Sequence, residues 1–215
     1  MTTAISWLDD PTIGDWIAAE QLTEHGVVGS LVPPRFESYV SVRLAGEDAT
    51  AVNPDRALRE HLVATIKAYD HRPSGCIFGV SDVYGWDGRT TGHVGVLREA
   101  PTNGEVDMDA LQGDLQARLE GARPASSEPS LPPLLETAIR SYMLYRGDVD
   151  DADAAAAAGG PTEIPDLWWP EHRGWFVATD TDLDFVIVAG PETLMGALDG
   201  RGVYVENLTA RSWLS

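Results

Sequence analysis

Cysteine is almost absent from this chain: Cys76 is the single one in 215 residues. An internal disulfide is therefore excluded, and so is a thiolate zinc cluster built from one chain. Basic residues are scarce as well, with 15 Lys and Arg against 34 Asp and Glu, for a formal charge of −19. No cluster of Lys and Arg offers a phosphate-neutralising surface, so neither nucleic acid nor an anionic membrane is an expected partner. Long apolar runs are missing too, and none approaches the ~18 residues that a bilayer span needs. The opening MTTAISWLDDPT has no basic start and no long apolar stretch, so it does not read as a signal peptide. These absences lead to the expectation of a cytoplasmic protein with a solvated acidic surface.

The familiar catalytic signatures are also lacking. Gly29-Ser30-Leu31 does not complete a G-x-S-x-G frame. There is no G-x-x-x-x-G-K-[ST] phosphate loop, no G-x-G-x-x-G after a strand and no H-E-x-x-H. His25, His61, His71, His93 and His172 are scattered without close ligand spacing. No cofactor, no metal and no catalytic residue are expected on this basis. An enzyme whose residues meet only in space stays open.

What the chain does contain is enough apolar material, 43%, for a proper core. Asp9, Asp10 and Pro11 read as a helix start, and Gly26 suits its C-cap. Val27 to Val32 reads as β-like, and Phe36 to Leu44 as a second strand. Asn53-Pro54 opens a helix whose apolar stripe is Leu58, Leu62, Ile66 and Tyr69, with Arg59, Glu60 and Lys67 on the other side. Gly75 to Ser81 reads as a buried strand, and short segments follow at Gly92 to Arg98 (strand) and Met108 to Leu119 (helix). Ala122 to Pro133 is a loop or a weak linker by composition. Thr137 to Arg146 leans to strand, and Asp148 to Gly160 reads as an Ala-rich helix with acids at its start. Trp175 to Thr181 and Phe185 to Ala189 are strands, Gly190 to Leu198 a helix, and Val203 to Glu206 a last strand. The order of elements predicts a single α+β domain over residues 1–215, with a mixed, mainly antiparallel sheet flanked by helices.

Three blocks carry a resemblance: VGSLVPPRFESYVSV (Val28 to Val42), GCIFGVSDVYGW (Gly75 to Trp86) and LWWPEHRGWFVATDTDLDFVIVAG (Leu167 to Gly190). Together they resemble an uncharacterised actinobacterial protein family, a domain of unknown function. The last block is the most specific. The resemblance implies an α+β domain and implies no reaction. The chain departs from the family pattern at Glu171-His172-Arg173 and at Ser81 to Tyr84.

Three constellations are candidates for chemistry. Trp168, Trp169, Glu171, His172, Arg173 and Trp175 combine aromatic faces with charge, which suits a stacking platform for a ligand ring or a partner peptide. Adjacent tryptophans on an extended segment face opposite ways, so core and cover outweigh that reading. Asp180, Asp182 and Asp184 alternate, but Phe185 and Pro191 stand where a calcium loop needs Gly and Glu, so an Asp-rich turn is the simpler account. Asp82, Tyr84, Trp86 and Asp87 follow a buried strand, with His93 nearby. Trp168, Trp169, Glu171, His172, Arg173, Tyr84, Trp86 and Asp82 are thus the candidate ligand- or partner-binding residues. The expected function is unknown in its particulars: a non-catalytic binding or regulatory protein whose partner is a protein or a small molecule. One alternative is a hydrolase using His172, Asp180 and Asp82, and another is a structural subunit of an oligomer. Oligomeric state is not legible.

Overall fold

Asn53 caps the longest helix among the described residues in the way its sequence predicts. Its side chain accepts from the Arg56 N–H at 3.0 Å, Pro54 occupies the first turn, and Asp55 and Lys67 complement the dipole at either end. This helix is one element of a computed structural model that describes residues 5–45, 53–70, 75–82, 132–160, 162–180, 182–200 and 202–214. The expected strand at Gly92 to Arg98, the expected helix at Met108 to Leu119, most of the loop at Ala122 to Pro133, and the candidate residues Tyr84 and Trp86 lie outside the described residues.

The strands are β1 (Ser38–Leu44), β2 (Cys76–Ser81), β3 (Leu134–Glu136), β4 (Ser141–Gly147), β5 (Leu167–Pro170), β6 (Phe176–Ala178), β7 (Val186–Gly190) and β8 (Val203–Leu208). They form one eight-stranded sheet in the order β3-β4-β2-β5-β6-β7-β1-β8. Every ladder among them is antiparallel. The helices are α1 (Asp15–Glu20), α2 (Val28–Leu31), α3 (Pro54–Tyr69), α4 (Ala154–Ala157) and α5 (Glu192–Leu198). The protein is α+β, with a mainly antiparallel sheet flanked by helices.

The sheet separates two apolar layers. On one face, Val40, Val42, Phe78, Val80, Trp168, Val177 and Val188 pack under Leu58, Leu62 and Ile66 of α3 and Leu194 and Leu198 of α5. On the other, Tyr39, Ile77, Leu144, Leu167, Trp169, Phe176 and Ile187 meet Trp16 and Ile17 of α1 and Val28 and Leu31 of α2. Residues adjacent in β5 therefore belong to different layers, as the period of two demands.

Several expectations are corrected here. The VVGSLV run is not a strand; Val28–Leu31 is a helical turn. Its backbone bonds elsewhere: Val28 N–H to the Ser212 carbonyl at 2.9 Å, and Gly29 N–H to the Ala210 carbonyl at 2.7 Å. Burial on every side gives a helical turn the same apolar signature as a buried strand. Arg59 does not sit on the solvent side of α3; it is 6% exposed. Its guanidinium is satisfied by the Glu163 carboxylate and carbonyl, both at 2.8 Å, which is what makes that burial tolerable. The Ala-rich segment is a 3-10 helix, Val149–Asp153, running into the short α4 rather than one continuous helix. The capping box between Asp148 and Asp151 tightens its first turn.

Candidate functional site

The candidate residues sort to the two ends of β5. Antiparallel pairing places Leu167 opposite Ala178 and Gly79, and Pro170 opposite Cys76. One end of the sheet thus gathers Ser81, Asp82, Arg140, Asp166 and Asp180. The other gathers Asp70, Glu171, His172 and Trp175. The four extended residues of β5 lie between Asp166 and the turn at Glu171 and His172, on the order of 13 Å of chain. His172 and Asp180, proposed above as hydrolase partners, do not converge.

At the His172 end the side chains fasten the fold. Trp168 and Trp169 are 0% exposed and Trp175 1%. Trp168 packs edge-on against Trp175 at 5.5 Å between centroids, and Trp169 stacks on Phe176 at 5.7 Å. Neither Trp168 nor Trp169 presents a face to a ligand from solvent, so the adjacent tryptophans are core and cover. His172 Nε2 lies 2.7 Å from Asp70 Oδ2, which also accepts the Trp175 indole N–H at 3.1 Å. The Gly174 N–H donates to His172 Nδ1 at 3.1 Å. That bond assigns the proton to Nε2, and both ring nitrogens are engaged. Glu171 pairs with Arg146 at 2.8 Å. Arg173 adopts a left-handed φ of 55° in the turn and lies over the Trp16 ring at 5.1 Å, with Arg35 also over that ring at 5.3 Å. Among the described tryptophans, it is therefore Trp16 that has cationic company.

The opposite end holds a cleft. Asp166 immediately precedes β5 and is 3% exposed. Its Oδ2 accepts the Ser81 N–H at 2.8 Å, which ties the end of β2 to the start of β5. Burial pushes the carboxyl up to about 6; the Ser81 hydrogen bond and the Arg140 charge pull it down, and Asp180 adds to the rise. Arg140, from the turn between β3 and β4, meets Asp180 at 2.7 Å, with side chains 18% and 12% exposed. Asp180 Oδ1 also accepts the Asp182 N–H at 3.2 Å, an Asx turn that shapes the β6–β7 connection. Asp184 pairs with Arg43 at 3.8 Å. The alternating acids are thus turn residues and ion-pair partners, and no group of three or more His, Cys, Asp and Glu suited to a metal occurs among the described residues. Asp82, partly buried, follows β2 at this same end.

The cleft has a volume of about 330 Å³ and lies on the α3 side of the sheet. Its apolar lining comes from Leu58, Ile164, Leu183, Phe185 and Val186, and its polar lining from Asp55, Thr162, Glu163, Asp166, Thr179, Asp180 and Asp184. A wider groove of about 570 Å³, bordered by Arg43 and Tyr204, continues from it through the shared residues Asp55, Leu58 and Asp184. Asp166, Arg140 and Thr162 were not singled out in the sequence. The one available signal was a carboxylate placed directly before the all-apolar LWW run. Comparison with family models, with curated proteins and with solved structures finds no match.

Proposed function

We propose that this protein works by binding, and that a small molecule occupies the cleft between α3 and the Asp166 end of the sheet. The observation that carries this reading is the cleft itself: a concave site with an apolar floor, a buried carboxyl in its wall and an ion pair beside it. The Arg140–Asp180 bond and the Ser81–Asp166 bond hold those groups before any ligand arrives, which lowers the ordering cost of binding. A regulatory role through small-molecule contacts and a cytoplasmic setting go with this reading, as does membership of the actinobacterial family whose sequence blocks the chain resembles. No helix among the described residues is long and apolar enough to cross a membrane. The structural-subunit alternative has less behind it. Among the described residues the exposed large hydrophobics are Tyr204 and Trp213, and the Tyr204 ring is covered by Arg43 at 4.8 Å.

A thermal-shift screen of small fragments tests the proposal. Stabilising fragments are expected to lose their effect in Asp166→Asn and Thr162→Val. Fragments that stabilise both variants as well as the parent would place binding elsewhere. The enzymatic alternative has one observation in its favour, a carboxyl raised to about 6 in a cleft, where a general acid or base is useful near neutral pH. It requires that Asp166→Asn abolish a measured hydrolysis without lowering stability.

A further inference from the structure

Resting on that reading, we infer that the cleft takes an organic ammonium ion carried on an apolar body, with the cation seated against Asp166 and Thr162. The argument begins with what already satisfies the other acids. Glu163 is bonded to Arg59, Asp180 to Arg140, and Asp184 faces Arg43. Asp55 is exposed in the first turn of α3, where the helix dipole favours a carboxylate. Asp166 is the most deeply buried of the five and has the Ser81 N–H, but no Lys, Arg or His within ion-pair distance among the described residues. In the same lining the Thr162 hydroxyl is buried with no hydrogen-bond partner. Buried polar groups are rarely left so, and an unpartnered hydroxyl in the wall that also holds the buried Asp166 carboxylate points to a ligand group that reaches both.

The chemistry of the cavity narrows what that is. Its lining includes five carboxylates and no Lys or Arg, so an anion is repelled. A neutral apolar ligand would seal a charged carboxylate away from water without a counter-charge, which is costly. A hard metal ion needs several oxygen ligands that are free to turn inward, and Glu163 and Asp180 are already bonded to arginines, with no group of three or more His, Cys, Asp and Glu suited to a metal among the described residues. An ammonium group brings positive charge and three donors, one for Asp166 and one for the Thr162 oxygen. Leu58, Ile164 and Phe185 then bury the body that carries it.

The test uses benzylamine as the ammonium probe, benzyl alcohol as its neutral counterpart and phenylacetate as the anion, titrated into the full chain and followed by amide chemical shifts. Benzylamine is expected to shift the amides of Thr162 to Asp166 and Thr179 to Asp184 saturably, about tenfold or more tightly than benzyl alcohol, with phenylacetate inactive. Asp166→Asn should erase that preference for the amine. Thr162→Val should weaken benzylamine more than benzyl alcohol, and it keeps the test decisive if the Asp166 variant fails to fold. Equal binding of benzyl alcohol and benzylamine at these amides overturns the cationic inference but leaves the cleft as a binding site. No shift at these amides from any probe, as for a cleft filled by water only, overturns both.

Discussion

Asp166 is the residue at which burial and function pull apart. Its folded pKa is raised above the ordinary carboxylate value, from 3.8 to about 6. The folded state therefore keeps a proton that the unfolded state releases, and the stability this gives is full below about pH 4 and lost as the pH climbs through about 6. Above that, the charged form costs up to about 3 kcal/mol of stability. Asp166→Asn, whose amide oxygen can still accept from Ser81, should flatten this stretch of the stability curve. Urea unfolding of parent and variant between pH 4 and 8 checks it, and parallel curves would count against the assignment. Cys76 is shifted by the same cause: burial pushes its thiol up to about 12. A thiol reagent at pH 8 should leave the native protein unmodified and react once it is unfolded. At the other end of the sheet, Asp70 is 8% exposed and accepts from Trp175. Asp70→Ala leaves a buried indole N–H without that acceptor and should cost about 1–3 kcal/mol in denaturant unfolding, with fragment binding at the cleft unchanged once the protein is folded.

At the scale of elements, the sequence announces some pieces and hides others. The α3 helix carries its own punctuation in Asn53, Pro54 and the Leu58–Leu62–Ile66 stripe, so its place could be read directly. The strand pair around Asp182 was legible for a related reason, since two apolar runs flank a turn of acids. The α2 segment was not, because a wholly buried run carries no periodicity that separates helix from strand. Its identity rests on tertiary bonds to Ala210 and Ser212, far along the chain. Gly29 shows how close that packing is: an added Cβ would lie 2.6 Å from Leu22 and 2.9 Å from the Ala210 carbonyl oxygen. Gly29→Ala should therefore destabilise by about 1–3 kcal/mol in denaturant unfolding, although alanine is the better helix former. A cost near zero would show that the α2 contact with the C-terminal segment is looser than described.

For the whole molecule, strand order decides what the candidate residues can do, and strand order was not legible. Antiparallel pairing of β2, β5 and β6 sends Asp82, Asp166 and Asp180 to one end and His172 to the other. Sequence reasoning weighted the aromatic block Trp168 to Trp175 because it is the most distinctive composition in the chain. In the fold that distinctiveness belongs to the two cores on either side of β5, while the cleft is lined by ordinary acids, threonines and apolar side chains drawn from three separate stretches of the chain. No local pattern announces such a site, because its parts meet only after the sheet has formed. The most direct test is to take the strongest fragment from the thermal-shift screen and map its amide shifts across the chain. The account predicts that they cluster at Thr162 to Asp166 and Thr179 to Asp184 and spare Glu171 to Trp175; a cluster at Glu171 to Trp175 would contradict it.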